Sequence, residues 1–150
     1  MDLQVARQAL ETGIKFVANS GLKVLELRRG YVKCLMPFSG NGNHIGTMYA
    51  GSLFTVAEIP GGALFLSSFD TARYVPIIKE MTMRFLKPAR GDVTIEISLD
   101  DARIAAISAD ADANGKAEFI LEGELKTADG TVVAASHGVY QLRSIQPRKS

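Results

Sequence analysis

The chain has 150 residues, 47% hydrophobic and 22% charged, with 17 Lys and Arg against 16 Asp and Glu. That is the balance of a soluble globular protein folding as one domain, 1–150, large enough to bury a core without covalent staples. A net charge of +1 gives no general attraction to nucleic acid or to an acidic membrane surface; the single cysteine, Cys34, excludes an internal disulfide; and one Cys with two His cannot furnish a usual structural zinc site.

At the start, Leu3, Ala6, Leu10, Ile14 and Val17 recur at helical spacing and predict one amphipathic helix, ended by Gly21 after Asn19-Ser20. Asp2, Arg7, Glu11 and Lys15 fall among those apolar residues, unlike a signal peptide, so a cytoplasmic protein is expected. Residues 22–29 and 31–38 read as two strands around a turn at Gly30. Residues 39–46 hold three Gly and two Asn and read as loop.

From about 48 to 67 the chain is apolar on every side, the mark of a helix buried all round. Pro60 is expected to kink it, and Pro60-Gly61-Gly62 together with Glu58 argue against a membrane span. Between Tyr49 and Leu66 the only ionisable groups are the Tyr49 phenol and the Glu58 carboxylate. Burying an unpaired carboxylate costs several kcal/mol or raises its pKa. Either Glu58 has a structural partner, such as backbone freed by Pro60 or a buried Arg, or it has a chemical use.

The second half is mostly strand. Met81, Met83 and Phe85 alternate with Thr82, Arg84 and Leu86 until Pro88 and Gly91 break the pattern; Val93, Ile95, Ile97 and Leu99 alternate with polar residues. Residues 101–114 are Ala-rich and helical in composition, stopped by Asn114-Gly115. Phe119, Leu121 and Leu125 face inward, Asp129-Gly130 marks a hairpin turn, and 131–143 form the last strand, apolar on both faces as if covered on both sides. The tail from Gln146 is expected to fray. Helix, two strands, buried helix, then four strands with a helical insert make an α+β fold in which a curved antiparallel sheet wraps a central helix.

The run Asn43-His44-Ile45-Gly46-Thr47-Met48-Tyr49-Ala50-Gly51-Ser52-Leu53 followed by Glu58 resembles the motif of the hot-dog acyl-CoA thioesterases, in the branch of the phenylacetate-pathway and 4-hydroxybenzoyl-CoA enzymes. That branch shows a polar amide, then His-Gly-Gly opening the central helix, then an acidic residue seven positions after the second Gly. Here Tyr49-Ala50-Gly51 fills the slot, with Tyr49 for the His and Ala50 for the first Gly, and Glu58 lies seven after Gly51. The resemblance spans about 43–143 and implies a hot-dog fold; the variant Gly46-Thr47-x-x-Ala50-Gly51-Ser52-Leu53 also resembles a little-characterised thioesterase branch with an extra N-terminal helix. It also implies a homodimer, or a dimer of dimers, with each site shared between two subunits.

The resemblance implies hydrolysis of an acyl-CoA or acyl-carrier thioester, with no cofactor beyond the coenzyme A of the substrate. Ala50 and Gly51 would direct backbone N–H groups at the thioester oxygen, because the first amides of a helix lack acceptors and carry the positive end of its dipole. Glu58 would act as general base or nucleophile, and Asn43 would orient water or hold the carbonyl. His44, Thr47 and Tyr49 are candidate substrate contacts, Thr47 being also the expected helix cap. Arg84, Lys87 and Arg90 are candidates for the coenzyme A phosphates, against the reading that they keep a strand edge soluble. Ser52 lacks the Gly-x-Ser-x-Gly elbow of a hydrolase nucleophile. Two other functions fit the same residues: hydroxyacyl-thioester dehydration using His44, and a non-catalytic dimer binding acyl-CoA or lipid.

Overall fold

The computed structural model describes residues 1–146; apart from Gln146, the expected fraying of the tail falls outside them. In chain order the elements are α1 (Leu3–Thr12), α2 (Lys15–Ser20), β1 (Lys23–Arg28), β2 (Tyr31–Met36), α3 (Ala50–Ser68), β3 (Tyr74–Phe85), β4 (Val93–Ser98), α4 (Asp101–Asn114), β5 (Lys116–Lys126) and β6 (Val132–Ser144). The strands form one antiparallel sheet in the order β1-β2-β4-β5-β6-β3.

The sheet curls around α3. Alternate residues of its strands, among them Cys34, Ile95, Leu121, Leu125 and Leu142, are buried against that helix, while their neighbours along the strand face outward. The alternation fixes register, since a slip of one residue would turn each apolar row to solvent. By length and composition alone α3 could cross a membrane; here it is the core helix, continuous through Pro60. On β6 the row Ala134, Ser136, Tyr140 and Leu142 is buried, whereas Ala135, His137 and Val139 stand half-exposed on the outer face.

Two elements differ from the sequence pattern. The expected single N-terminal helix is two. Asp2 caps α1 by accepting from the Gln4 and Val5 amides, but α1 stops at Gly13, and Ile14 is extended at φ −109° and ψ 116°. Thr12 and Gly13 are weak helix formers, and the break re-aims the chain so that Val17 enters the core. Gly21 then ends α2 in the left-handed region, as its position implies. The third strand begins at Tyr74 rather than near Met81. It lies at the sheet edge, where Pro76 is tolerated, and a bulge between Ile78 and Glu80 shifts the alternation that marks Met81 and Met83.

Gly30 turns β1 into β2 at φ +74°, and a Cβ there would overlap the Leu99 carbonyl oxygen. Gly40 has a similar φ of +80° with nothing within 4 Å of a Cβ. Gly30→Ala is therefore expected to lower stability by about 2–3 kcal/mol and Gly40→Ala by about 1 kcal/mol, read from urea midpoints. Equal losses would show that the Leu99 contact contributes nothing.

Candidate active site

The loop before α3 fixes how that helix begins. Asn41 is buried; its Nδ2 donates to the Ser20 and Pro37 carbonyls at 2.8 Å each, and its Oδ1 accepts from Ser52 Oγ at 2.9 Å. Its backbone carbonyl accepts from the Tyr49 amide at 2.8 Å, and the Met48 amide donates to Ala89 at 2.8 Å. The helix start is thereby tied to α2 and to the segment after β3. Nothing in the sequence singles Asn41 out from the neighbouring Asn and Gly residues, and it is not among the expected site residues. Ser52 is held by Asn41, which gives it a structural task.

Asn43 and Thr47 close a tight turn together. Asn43 Oδ1 accepts from the Ile45 and Thr47 amides at 3.0 Å, and its Nδ2 donates to Thr47 Oγ1 at 2.9 Å. This is the local loop chemistry that Asn favours. Thr47 is not the helix cap. The N-cap is Tyr49, which makes no side-chain capping bond, because Thr47 lies two residues too early and is turned back to Asn43.

The consequence is at the tip of α3. The Ser52 and Leu53 amides donate to the Tyr49 carbonyl, whereas those of Ala50 and Gly51 have no acceptor among the described residues. The first turn carries no acidic residue. Two free donors at the positive end of a helix are a ready place for a developing negative charge. Tyr49, 56% exposed, lays its ring over Gly51, where a Cβ would come within 2.5 Å of the ring. Beside Ala50 opens a cleft of about 280 Å³ with apolar walls that include Met48, Leu53, Phe85 and Leu86, lined also by Asn43 and Thr47.

Glu58 stands half-buried on the flank of α3. Among the described residues its carboxylate has no hydrogen bond and no salt bridge, so neither the backbone near Pro60 nor an arginine holds it. Burial pushes its pKa above the ordinary value of 4.5. Ala50 lies eight positions earlier, about 12 Å along the axis. Phe54, on the same helix face, is exposed, and on β3 Met81 and Met83 are half-buried and Phe85 exposed. One turn from the acid α3 thus carries an exposed apolar ring, and the edge strand β3 carries a row of partly exposed apolar residues.

The expected cationic trio does not gather. Lys87 borders the cleft at the helix tip and also a second one of about 590 Å³, where Arg90 joins it. Arg84 points to the outer face of the sheet, into a separate groove of about 960 Å³ with Lys126 and Glu124. Residue 84 is within β3, whose alternation sends its side chain away from the Met81 and Phe85 face, and that is why three nearby positions part.

His44 is exposed and has no hydrogen bond among the described residues. His137 Nδ1 lies 2.8 Å from Glu122 Oε1 on the outer face, a local strand pairing. Cys34 is fully buried, and burial pushes its thiol up to about 12, which removes it as a nucleophile. No group of three or more His, Cys, Asp or Glu among the described residues could hold a metal ion.

The fold has counterparts among solved structures. Pseudomonas aeruginosa protein PA5026, described as a probable thioesterase, is 53% identical over 96% of this chain and 97% of its own, with a TM-score of 0.93. Two more distant structures share the fold alone. A point mutant of the P. aeruginosa thioesterase PA1618 is 15% identical, covering 97% and 96% of the two chains at a TM-score of 0.73. The Haemophilus influenzae thioesterase HI1161 is 12% identical, covering 100% and 96% at 0.74. No curated protein matches the chain in sequence. Residues 5–140 match the family described as domain of unknown function DUF4442. On that match and on the PA5026 likeness, the chain belongs to the DUF4442 family and has the hot-dog fold of the thioesterase superfamily.

Proposed function

We propose that the protein hydrolyses an acyl thioester to a free acid and a thiol, at a site built from two copies of the chain. The observation that carries this reading is Glu58, a half-buried carboxylate with no partner among the described residues and a raised pKa. Such a group is destabilising unless used, and a raised pKa makes it a stronger base near neutral pH. The description of PA5026 as a probable thioesterase supports the same chemistry.

One chain cannot bring its own Glu58 and Ala50 to one carbonyl across about 12 Å of helix. A second copy removes the difficulty. β3 is a twelve-residue edge strand whose outer edge is unpaired among the described residues, and long bare edges are normally covered. Pairing β3 with its copy would cover the strip of Phe54, Met81, Met83 and Phe85 and bring each Glu58 towards the partner's helix tip. The thioester oxygen then takes the Ala50 amide, with Gly51 beside it, while Glu58 of the other chain activates water or attacks the carbonyl. Asn43 and Thr47 shape the loop that lines the cleft, and the Tyr49 ring lies over Gly51.

Coenzyme A is the carrier this surface suits. The helix-tip cleft and the wider cleft beyond it share Lys87 and Pro88, so a pantetheine arm leaving the thioester would pass over them. Its phosphates would meet Lys87 and Arg90. Arg84, on the outer face, falls outside that path. His44, exposed and without a bonding partner among the described residues, lends nothing specific to dehydration of a hydroxyacyl group.

Glu58→Gln is expected to lower kcat by about 10²–10⁴-fold, measured as thiol release from acyl-CoA. The melting temperature at pH 7 should be unchanged or higher. A raised folded pKa means that Glu58 contributes stability below its unfolded pKa, and that this is lost as pH rises through the folded value. At pH 7 the ionised group is therefore a cost, which Gln removes. For the same reason kcat/KM should rise with pH along a limb centred above 4.5. A folded Glu58→Gln protein with wild-type turnover would refute the assignment.

Ala50 is the first residue of α3, where proline is tolerated, and Tyr49 at φ −60° and ψ 136° already suits a following proline. Ala50→Pro should therefore fold normally while deleting one donor. A loss of about 10²-fold in kcat, ~3 kcal/mol of transition-state stabilisation, is expected. Unchanged kcat would take the Ala50 amide out of the reaction.

A further inference from the structure

The turn of α3 that carries Glu58 is bonded from the sheet side by one buried core residue. Tyr140 lies on the concave face of β6, only 4% exposed, and its hydroxyl donates to the backbone carbonyl of Glu58 at 3.3 Å. Its ring stacks on Phe119 with centroids 5.8 Å apart. Two glycines make room for it. A Cβ on Gly61 would overlap the ring, and one on Gly138, two positions earlier on β6, would lie 2.5 Å from Tyr140 Cε2. Gly62 makes no comparable demand, since a Cβ there would meet only Leu10, at 3.8 Å.

The slot accounts for several otherwise odd residues at once. Gly138 weakens a central strand, and Gly61 next to Pro60 weakens a core helix. Both are needed if a tyrosine is to reach the helix backbone at the turn bearing Glu58. Pro60, in the same turn, has no N–H to give to the carbonyl one turn back, so this stretch of α3 has less internal support than the rest. A hydroxyl delivered from the sheet ties down a stretch the helix itself holds loosely.

We propose that Tyr140 is a positioning residue, locked between Gly61 and Gly138, that sets the height and orientation of Glu58 over the sheet. It touches neither the acyl group nor water in the reaction, and its effect reaches the carboxylate through the helix backbone. This rests on Glu58 being the catalytic carboxylate, as proposed above. The positioning itself can be read without turnover.

The test is Tyr140→Phe, which keeps the ring and removes the hydroxyl, beside Tyr74→Phe as control. Tyr74 is also buried, and its hydroxyl donates to Asp112 on α4 at 2.6 Å. Both variants should remain folded and melt somewhat lower than wild type. In Tyr140→Phe, kcat for acyl-CoA hydrolysis should fall about tenfold with KM within twofold, while Tyr74→Phe stays within twofold in both. Carbon-13 NMR titration of the Glu58 carboxyl should show its midpoint moving down towards the ordinary value in Tyr140→Phe, as the loosened turn lets water reach it, and not in Tyr74→Phe. A Glu58 midpoint in Tyr140→Phe equal to wild type would overturn the proposal. So would equal losses of kcat in the two variants. If wild type hydrolyses no acyl-CoA at all, the hydrolase reading fails, and the NMR titration alone still decides whether Tyr140 positions Glu58.

Discussion

A carboxylate half out of water, with no cation and no donor among the described residues, is the constraint around which this molecule is arranged. The surrounding helix is apolar on all sides, so Glu58 gains nothing from its neighbours and burial raises its pKa. A side chain of the same shape without charge would suit the helix better. Keeping the acid makes sense where its basicity is needed, and the two free amides at the start of α3 supply the complementary positive potential.

Helix geometry then limits how the two can meet. Eight residues of α-helix separate them by about 12 Å, and no side-chain rotation closes that gap. Phe54 on α3, Met81, Met83 and Phe85 on β3, and the edge of β3, unpaired among the described residues, are the surfaces on which the proposed second copy would lie. Dimerisation through that edge would at once pair the strand, cover the apolar residues and complete the site, so one event would answer three separate deficits. Tyr140 acts from the opposite side, through the sheet, on the turn that carries the acid.

Much of the fold was legible because the signals were periodic or punctuated. The alternation in β4 and β5 set their buried faces, and Gly21, Gly30, Gly115 and Gly130 sit at positive φ where turns or helix ends were expected. Glu58 was conspicuous as the one acid in an apolar run. What escaped were features set by tertiary context. The break at Gly13 depends on where Val17 must go, and the early part of β3 was hidden by an edge proline and a bulge. Asn41 and Tyr140 gave no local sign of their importance, since their partners lie in elements distant in sequence. Thr47 had the right chemistry for a cap but lies two residues too early, and Arg84 had the right charge on the wrong face.

The shared site is tested most directly by mixing two inactive proteins. Glu58→Gln lacks the acid and Ala50→Pro lacks the donor, so neither homodimer has a complete site. After unfolding and refolding together, the mixed dimers would contain one site with both defects and one with neither. The account predicts that thiol release returns to about a quarter of the wild-type rate at equal protein, since half the dimers would carry one intact site. Activity that stays at the level of the separate variants, with mixed dimers demonstrated by mass spectrometry, would contradict a site built from two chains.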